Sequence, residues 1–402
     1  MSNFVEVTKQ GLGSRGKDSI GGAIFGIVLV ALTCVLLFWN EGRAVRRYQD
    51  LKEGAAAFVN GDASQVNPAN EGALIHLSGD AVTPGPLTDP EFGISEIAIK
   101  LQRSVEMYQW VEQVQTEEKN KVGGGVETTK TYSYATEWSG SPVDSSQFKV
   151  QSDHQNPGKF PFQSASSKAE GVKLGAFSLP AFLVSQIGGS EPLPVSGLDE
   201  ASEAVKNSAQ LSNGGFYFGN NPTSSAVGDV KVSFSVVRPG PISVIAQQQG
   251  NTLVTYQAKS GGTVDLLERG IVPAEKMFEA AESANKFMTW AIRIAGFVLL
   301  SIAFGMILRP IAVLAGILPI LGRLVGAGTS VIAFILAGIL WALIVAIAWI
   351  FYRPILGIAI LVVAVALIVL FVKTVAKAGS TGSTSASSDP GPPPLDTPPP
   401  LV

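Results

Sequence analysis

The sequence predicts an α+β extramembrane domain inserted between the first and second of four transmembrane α-helices. Charge is scarce. Charged residues are 15% of the 402 and hydrophobic ones 46%, with a mean hydropathy of +0.30. Soluble domains carry about 25% charge, so the deficit points to lipid. Four runs are long and apolar enough to cross a bilayer, which takes about 20 residues. Between the first and second runs, residues alternate with period two, the mark of strands.

Residues 1–19 form a basic N-terminal segment. Within it, GLGSRGKD (11–18) nearly matches a phosphate-binding loop, but Asp18 replaces the hydroxyl residue and no strand precedes it. That motif requires a strand before and a helix after it within a layered α/β domain, so it reads as a flexible basic flank. Residues 20–39 (IGGAIFGIVLVALTCVLLFW) carry no charge and form the first span. The run is too long for a signal h-region, and NEGRAVRR follows with no small-residue cleavage site, so it reads as an uncleaved anchor. The second span is 288–308, with Arg293 near its start, where a long side chain snorkels. The third is 325–352 and the fourth 355–372, separated by Arg353 and Pro354. Residues 309–324, with Pro310 and Pro319 around an apolar stretch, are too short to span and read as interfacial or re-entrant. Residues 373–402 end in GPPPLDTPPP and form a disordered tail.

Four spans place both termini on one side, with Lys9, Arg15, Lys17, Arg309, Arg323, Lys373 and Lys377. Residues 40–287 then lie across the membrane with Arg353. The positive-inside rule favours cytosolic termini, although Arg43, Arg46 and Arg47 flank the first span on its far side. The protein is thus expected to be multi-pass: in the cytoplasmic membrane with an extracytosolic domain if bacterial, in the endoplasmic reticulum or inner nuclear membrane if eukaryotic.

In the domain, residues 43–59 continue the first span as a helix. Ile97, Ile99, Leu101, Val105, Met107 and Val111 share one parity; Glu106, Tyr108, Trp110 and Glu112 share the other with Lys100, Gln102 and Ser104. With residues 128–138 across a glycine-rich gap, this predicts a long hairpin. Residues 243–248 and 252–257 predict a second. Helices are expected over 177–187, 199–211 and 273–287, the last running into the second span.

No motif indicates catalysis. Glu106 and Glu112 cannot act as a glycosidase pair, because six residues of strand separate them by about 20 Å. They belong to a partly wet face with cross-strand aromatic packing. The single cysteine, Cys34, excludes an internal disulfide and a thiolate zinc site, and His76 and His154 lack a ligand-spaced neighbour. Catalytic residues, metal and cofactors are therefore set at none, and a net charge of −3 gives no reason to expect nucleic acid. The spans lack central ionisable groups, which argues against transport. They do carry small residues at four-residue spacing, Gly22 with Gly26 and Ala333 with Ala337, which let helices approach closely.

Eight stretches share wording with a known family: NEGRAVRRYQDLKEG (40–54), NEGALIHLSG (70–79), DPEFGI (89–94), IKLQRSVEMYQWVE (99–112), TYSYATEW (131–138), VGDVKVSFS (227–235), VIAQQQG (244–250) and WIFYRPI (349–355). In this order they resemble the transmembrane protein 43 (LUMA) family, with Glu106, Tyr108, Trp110 and Glu112 in its most distinctive stretch. The resemblance implies four spans and a lumenal domain. Animal relatives reside in the endoplasmic reticulum and inner nuclear membrane, self-associate, and bind lamins and emerin as organisers of membrane complexes. The resemblance supplies no catalytic residues. Residues 139–225 and the proline-rich tail depart from the family, and the chain looks like a prokaryotic member, for which lamins and emerin are not expected.

The expected function is a non-enzymatic membrane scaffold that organises protein complexes and self-associates through its spans. Its expected partners are membrane lipids, further copies of itself and a membrane or envelope protein. The alternative is a domain that binds or modifies a lipid or small molecule at the bilayer. Transport ranks below both.

Overall fold

A strand, β1 (Phe4–Gln10), leads into a 46-residue helix, α1 (Leu12–Ala57). No proline interrupts residues 12–57, so the apolar run and the charged stretch after it share one rod, about 1.5 Å per residue long. The rod ends where Phe58 turns extended and its N–H bonds Gly54 O. The computed structural model describes residues 4–121, 125–315 and 319–353.

The strands that organise the domain are β2 (Leu74–Val82), β3 (Lys100–Asn120), β4 (Val126–Ser139), β5 (Gly215–Phe218), β6 (Val230–Val237), β7 (Gly240–Gln249) and β8 (Leu266–Arg269). After them come the helices α2 (Ala274–Ala315) and α3 (Pro319–Tyr352). By length and composition, Gly13–Ala57, Ala274–Leu314 and Gly328–Tyr352 qualify as membrane helices. A large β-rich domain therefore lies between the first and second of the three such helices among the described residues.

Among the described residues, one sheet has the order β1-β4-β3-β6-β5 and continues to Gln210–Ser212. The other has β7 at its centre, with β2 along one edge and β8 followed by Thr252–Val254 along the other. Only Arg238 and Pro239 lie between β6 and β7, so the chain steps directly from one sheet to the next. Each sheet face that turns from water has its own core. Leu101, Val105 and Met107 of β3 pack with Phe92, Phe216 and Phe234. Ile75 and Leu77 of β2 pack with Leu174, Leu183 and Val244. A third cluster joins α1 and α2 to the second sheet through Leu51, Leu74, Ile245, Val264, Met277 and Phe278. This cluster seats the domain on the two helices.

The β3–β4 hairpin is 21 residues long on its first arm. It pairs in register from Met107↔Ser139 to Asn120↔Val126, and β1 adds along β4 from Phe4↔Tyr132 to Gln10↔Val126. Its far end lies at the start of α1: Glu118 and Val126 line a small cavity with Arg15, Asp18 and Arg309. The ladder carries charge on both faces, including Glu6 and Lys130 on one and Lys9 and Glu117 on the other.

Several expectations change in extent. Of the helix expected over 177–187, only Ala181–Gln186 is helical, because Phe177–Ser178 joins the second sheet. Of 199–211, Glu203–Ser208 is helical and Gln210 onward is strand. Ile97 stays 52% exposed, because β3 begins only at Lys100. The second span is part of a helix that starts at Ala274 and runs past Pro310 to Ala315, so residues 309–315 are helical. The expected fourth span (355–372) and the tail lie outside the described residues.

The chain divides into two compact units, Met1–Ala342 and Leu343–Val402. Of the second, the described part is the end of α3 and Arg353.

Candidate functional site: a polar clamp between the first two spanning helices

The helices α1 and α2 run antiparallel, and their apolar halves meet through glycines. A Cβ on Gly26 would lie 2.8 Å from Ala303 O and 2.9 Å from Ile307 Cγ1. One on Gly296 would lie 2.5 Å from Leu37 Cδ2. Away from this seam, Ile20, Ile24, Leu32, Val35, Ile294 and Val298 are exposed, as lipid-facing side chains should be. Trp39 and Trp290, both about half exposed, stand at one end of the apolar stretch, where indole rings favour the bilayer interface.

Directly beside these tryptophans the seam turns polar. Arg293 donates to both carboxylate oxygens of Glu41, Nε to Oε1 at 2.6 Å and Nη2 to Oε2 at 2.8 Å. Arg293 is 8% exposed and Glu41 3%. A forked guanidinium on a carboxylate is a strong and directional pairing. Asn40, fully buried, donates to Thr289 O at 3.2 Å. Arg43 donates to Asn40 Oδ1, Asn285 Oδ1 and Thr289 Oγ1, and Asn285 Nδ2 closes the lattice on Ala44 O at 2.9 Å. Trp341 of α3 donates its indole N–H to Arg293 O at 3.0 Å, and the Arg293 guanidinium lies 4.8 Å from the Trp290 ring centre.

Farther out, the domain grips α1 by its polar face. Ser260 bonds Asp50, and Glu53 accepts from Tyr256 Oη and Lys259 N. Arg47 donates to Thr263 O. Burial raises the Tyr256 hydroxyl above its usual pKa, and the Glu53 carboxylate adds to the effect. The arrangement holds two helices and a domain in one register. Both oxygens of Glu41 are occupied by Arg293, which leaves no free carboxylate there to act as a base.

This site was not among the sequence candidates, and Arg293 does not snorkel. The sequence signal that identifies the pairing is depth. On the antiparallel helices Glu41 falls two residues outside Trp39 and Arg293 three residues inside Trp290, so opposite charges stand at the same end of two spans, close enough for a long side chain to bridge.

The sequence candidates lie elsewhere. Gly26 faces α2 of its own chain, and Gly22 lies 4.0 Å from Met306 Cε. Ala333 and Ala337 on α3 are buried. On β3, Glu106 pairs with Lys231 at 3.0 Å, and the Tyr108 ring meets Trp138 directly opposite on β4 at 5.3 Å. Trp110 meets His154 edge-on at 4.7 Å, and Glu112 accepts from Tyr134 Oη at 2.7 Å and Lys149 N at 2.6 Å. Thus the two glutamates serve separate partners. His76 is held by Asn60 and Val272 O, and His154 stacks on Tyr134. Among the described residues no group of three or more His, Cys, Asp or Glu side chains is placed to hold a metal.

A β-rich domain locked onto an antiparallel pair of apolar helices defines an integral membrane protein built around the junction of bilayer and domain. The chain belongs to the transmembrane protein 43 family. The family model described as Transmembrane protein 43 matches residues 107–354. The chain is 36% identical to Transmembrane protein 43 of Rattus norvegicus over 354 residues, 85% of this chain and 87% of the relative. It is 34% identical to that of Homo sapiens over 375 residues, 89% and 92% of the two chains. A Drosophila melanogaster homolog is 33% identical over 352 residues, 84% and 91% of the two chains. No solved structure matches the chain.

Proposed function

We propose that the protein is a non-enzymatic organiser of membrane protein complexes. Its β-rich domain is held rigidly at the bilayer surface, where it meets a membrane or envelope partner or another copy of the chain. The supporting observation is the clamp. The bidentate Glu41–Arg293 pair and the Asn40–Arg43–Asn285–Thr289 lattice fix the first two spans to each other, and the bonds of Arg47, Asp50 and Glu53 fix the domain to α1, as a presenting surface requires. Because Gly26 is used within the chain, self-association relies on the outward, lipid-facing sides of the spans. Crosslinking in native membranes followed by sizing should give species larger than one chain. A strictly monomeric result removes the self-association.

The same reading places residues 40–287 outside the cytosol and the N-terminal segment inside it. The β1–β4 ladder runs alongside the apolar part of α1, and hydrocarbon admits helices and closed barrels but no open, charged sheet. Docking of β1 and crossing by α1 are therefore alternatives. Crossing buries twelve Ile, Leu, Val and Phe side chains of residues 20–39, each contributing about 1.5–3 kcal/mol on full burial. Docking adds seven cross-strand pairs, each contributing about 0.2–1 kcal/mol. Crossing wins, so β1 undocks from β4 when α1 inserts. Val7 and Thr129 face each other in the ladder. With Cys34 replaced by alanine, V7C and T129C should fail to form a disulfide in native membranes and should label from opposite sides. Efficient disulfide formation there would overturn the assigned sidedness.

A further inference from the structure

We propose that the crevice between α1, α2 and β8 binds the headgroup of an amine-bearing zwitterionic phospholipid, its phosphate on Arg43 and Arg47 and its ammonium on Asp265 and Glu268. The crevice has a volume of about 590 Å³ and is lined by these four residues together with Met277 and Met288, among others. That volume falls in the usual range for a small-molecule pocket. Its depth suits a headgroup. Met288 lies next to Trp290 and the clamp, and Met288 is itself 48% exposed, so the crevice opens toward the lipid-facing side of α2. Chains of a seated lipid would leave past Met288 along Ile294 and Val298.

The charges are arranged in the order of such a headgroup. Arg43 and Arg47 are one turn apart on α1. The hydrogen bonds of Arg43 go to Asn and Thr oxygens, and Arg47 bonds a backbone carbonyl. Neither takes part in an ion pair among the described residues, so each keeps guanidinium N–H groups to offer a phosphate. Guanidinium groups match phosphate oxygens in geometry as well as charge. Glu268 comes from β8 of the domain and Asp265 from the residue just before that strand. In an ethanolamine-type headgroup the phosphate lies nearer the hydrocarbon and the ammonium beyond it. Arg43, bonded to the same Thr289 that neighbours Trp290, sits at the bilayer end of the crevice. Burial holds the Asp265 carboxyl above its ordinary pKa while Arg47 opposes the shift, and an ammonium beside it would favour the charged form further. The apolar lining explains why a lipid, and not a free phosphoamine, is the fitting source.

The test uses the full chain in detergent, given equal amounts of phosphatidylethanolamine, phosphatidylcholine and phosphatidylglycerol and read by native mass spectrometry. Phosphatidylethanolamine should be retained preferentially. Arg47→Gln should lower its retention by about tenfold, the scale of one lost charge-assisted contact. Asp265→Asn is nearly isosteric and guards against misfolding as an explanation. It should shift retention toward phosphatidylglycerol, which has phosphate but no amine. Equal retention of all three lipids by the unaltered chain overturns the proposal, as does Arg47→Gln retaining lipid unchanged. Full displacement of lipid by soluble O-phosphoethanolamine at matched concentration would also overturn a lipid source.

Discussion

Replacing Glu41 with alanine should destabilise the protein by about 3–5 kcal/mol, the usual cost of removing one partner from a buried ion pair. The magnitude follows from burial. Arg293 is 8% exposed and gives both its Nε and Nη2 to that carboxylate. With Glu41 gone, its charge stays at the bilayer boundary with the Trp290 ring beside it and loses this bidentate carboxylate. Arg293→Ala should cost about as much for the mirror reason. The diagnostic variant is the double replacement by apolar residues of similar length, Glu41→Met with Arg293→Leu. Removing both partners of a buried pair is often close to neutral, so it should recover most of the loss. Thermal unfolding of the detergent-solubilised chain measures all three. If the single variants unfold with the parent, the pair does not hold the helices. If the double variant is as damaged as the singles, the loss reflects packing and not charge.

The second large effect is expected at Phe92. Truncation to alanine should cost about 3–5 kcal/mol, and Phe92→Leu clearly less. Phe92 is 2% exposed, and its ring centre lies 5.1 Å from Phe216, 5.2 Å from Phe162 and 5.6 Å from Phe234. The Arg103 guanidinium covers it at 4.9 Å and is held by Asp89 and Glu91. Removing the ring leaves a hole at the centre of the first sheet's core and withdraws a face from Arg103. The turn that delivers Phe92 is tightly specified. Gly93 has φ +65°, and a Cβ there would lie 2.1 Å from Glu200 C, so the neighbouring backbone cannot simply shift to fill the space. Denaturant unfolding followed by tryptophan fluorescence reads this core. A loss below about 1 kcal/mol would mean that the cluster closes over the hole, contrary to the partial relaxation usual in cores.

Local signals made the spans and much of the domain legible in the sequence. Continuous apolar runs mark α1 and α2, and period two marks β3, β6 and β7. The helix after Pro273 and the continuation of the first span through Arg43 appear in the structure as α2 from Ala274 and α1 to Ala57. Short elements were misjudged for a physical reason. Residues 177–178 and 210–212 have neighbours that favour helix, yet they fold back on adjacent residues as short hairpins, with Lys173–Leu174 and with Gly215–Tyr217, and the sheet beyond captures those hairpins through Thr252 and β6. Propensity over a few residues is too weak to resist that.

The sequence by itself determined that this chain enters lipid, carries a β-rich domain between its first two membrane helices and belongs to its family, because apolar length, alternation and ordered wording are properties of contiguous residues. Only the tertiary structure decided that Glu41 meets Arg293 across 252 positions, that Gly26 is used within the chain, and that Arg43 and Arg47 face Asp265 and Glu268. Those contacts depend on how two helices turn about their axes and which strand lies beneath them. Many distant packing interactions set that rotation together, and no local period records it.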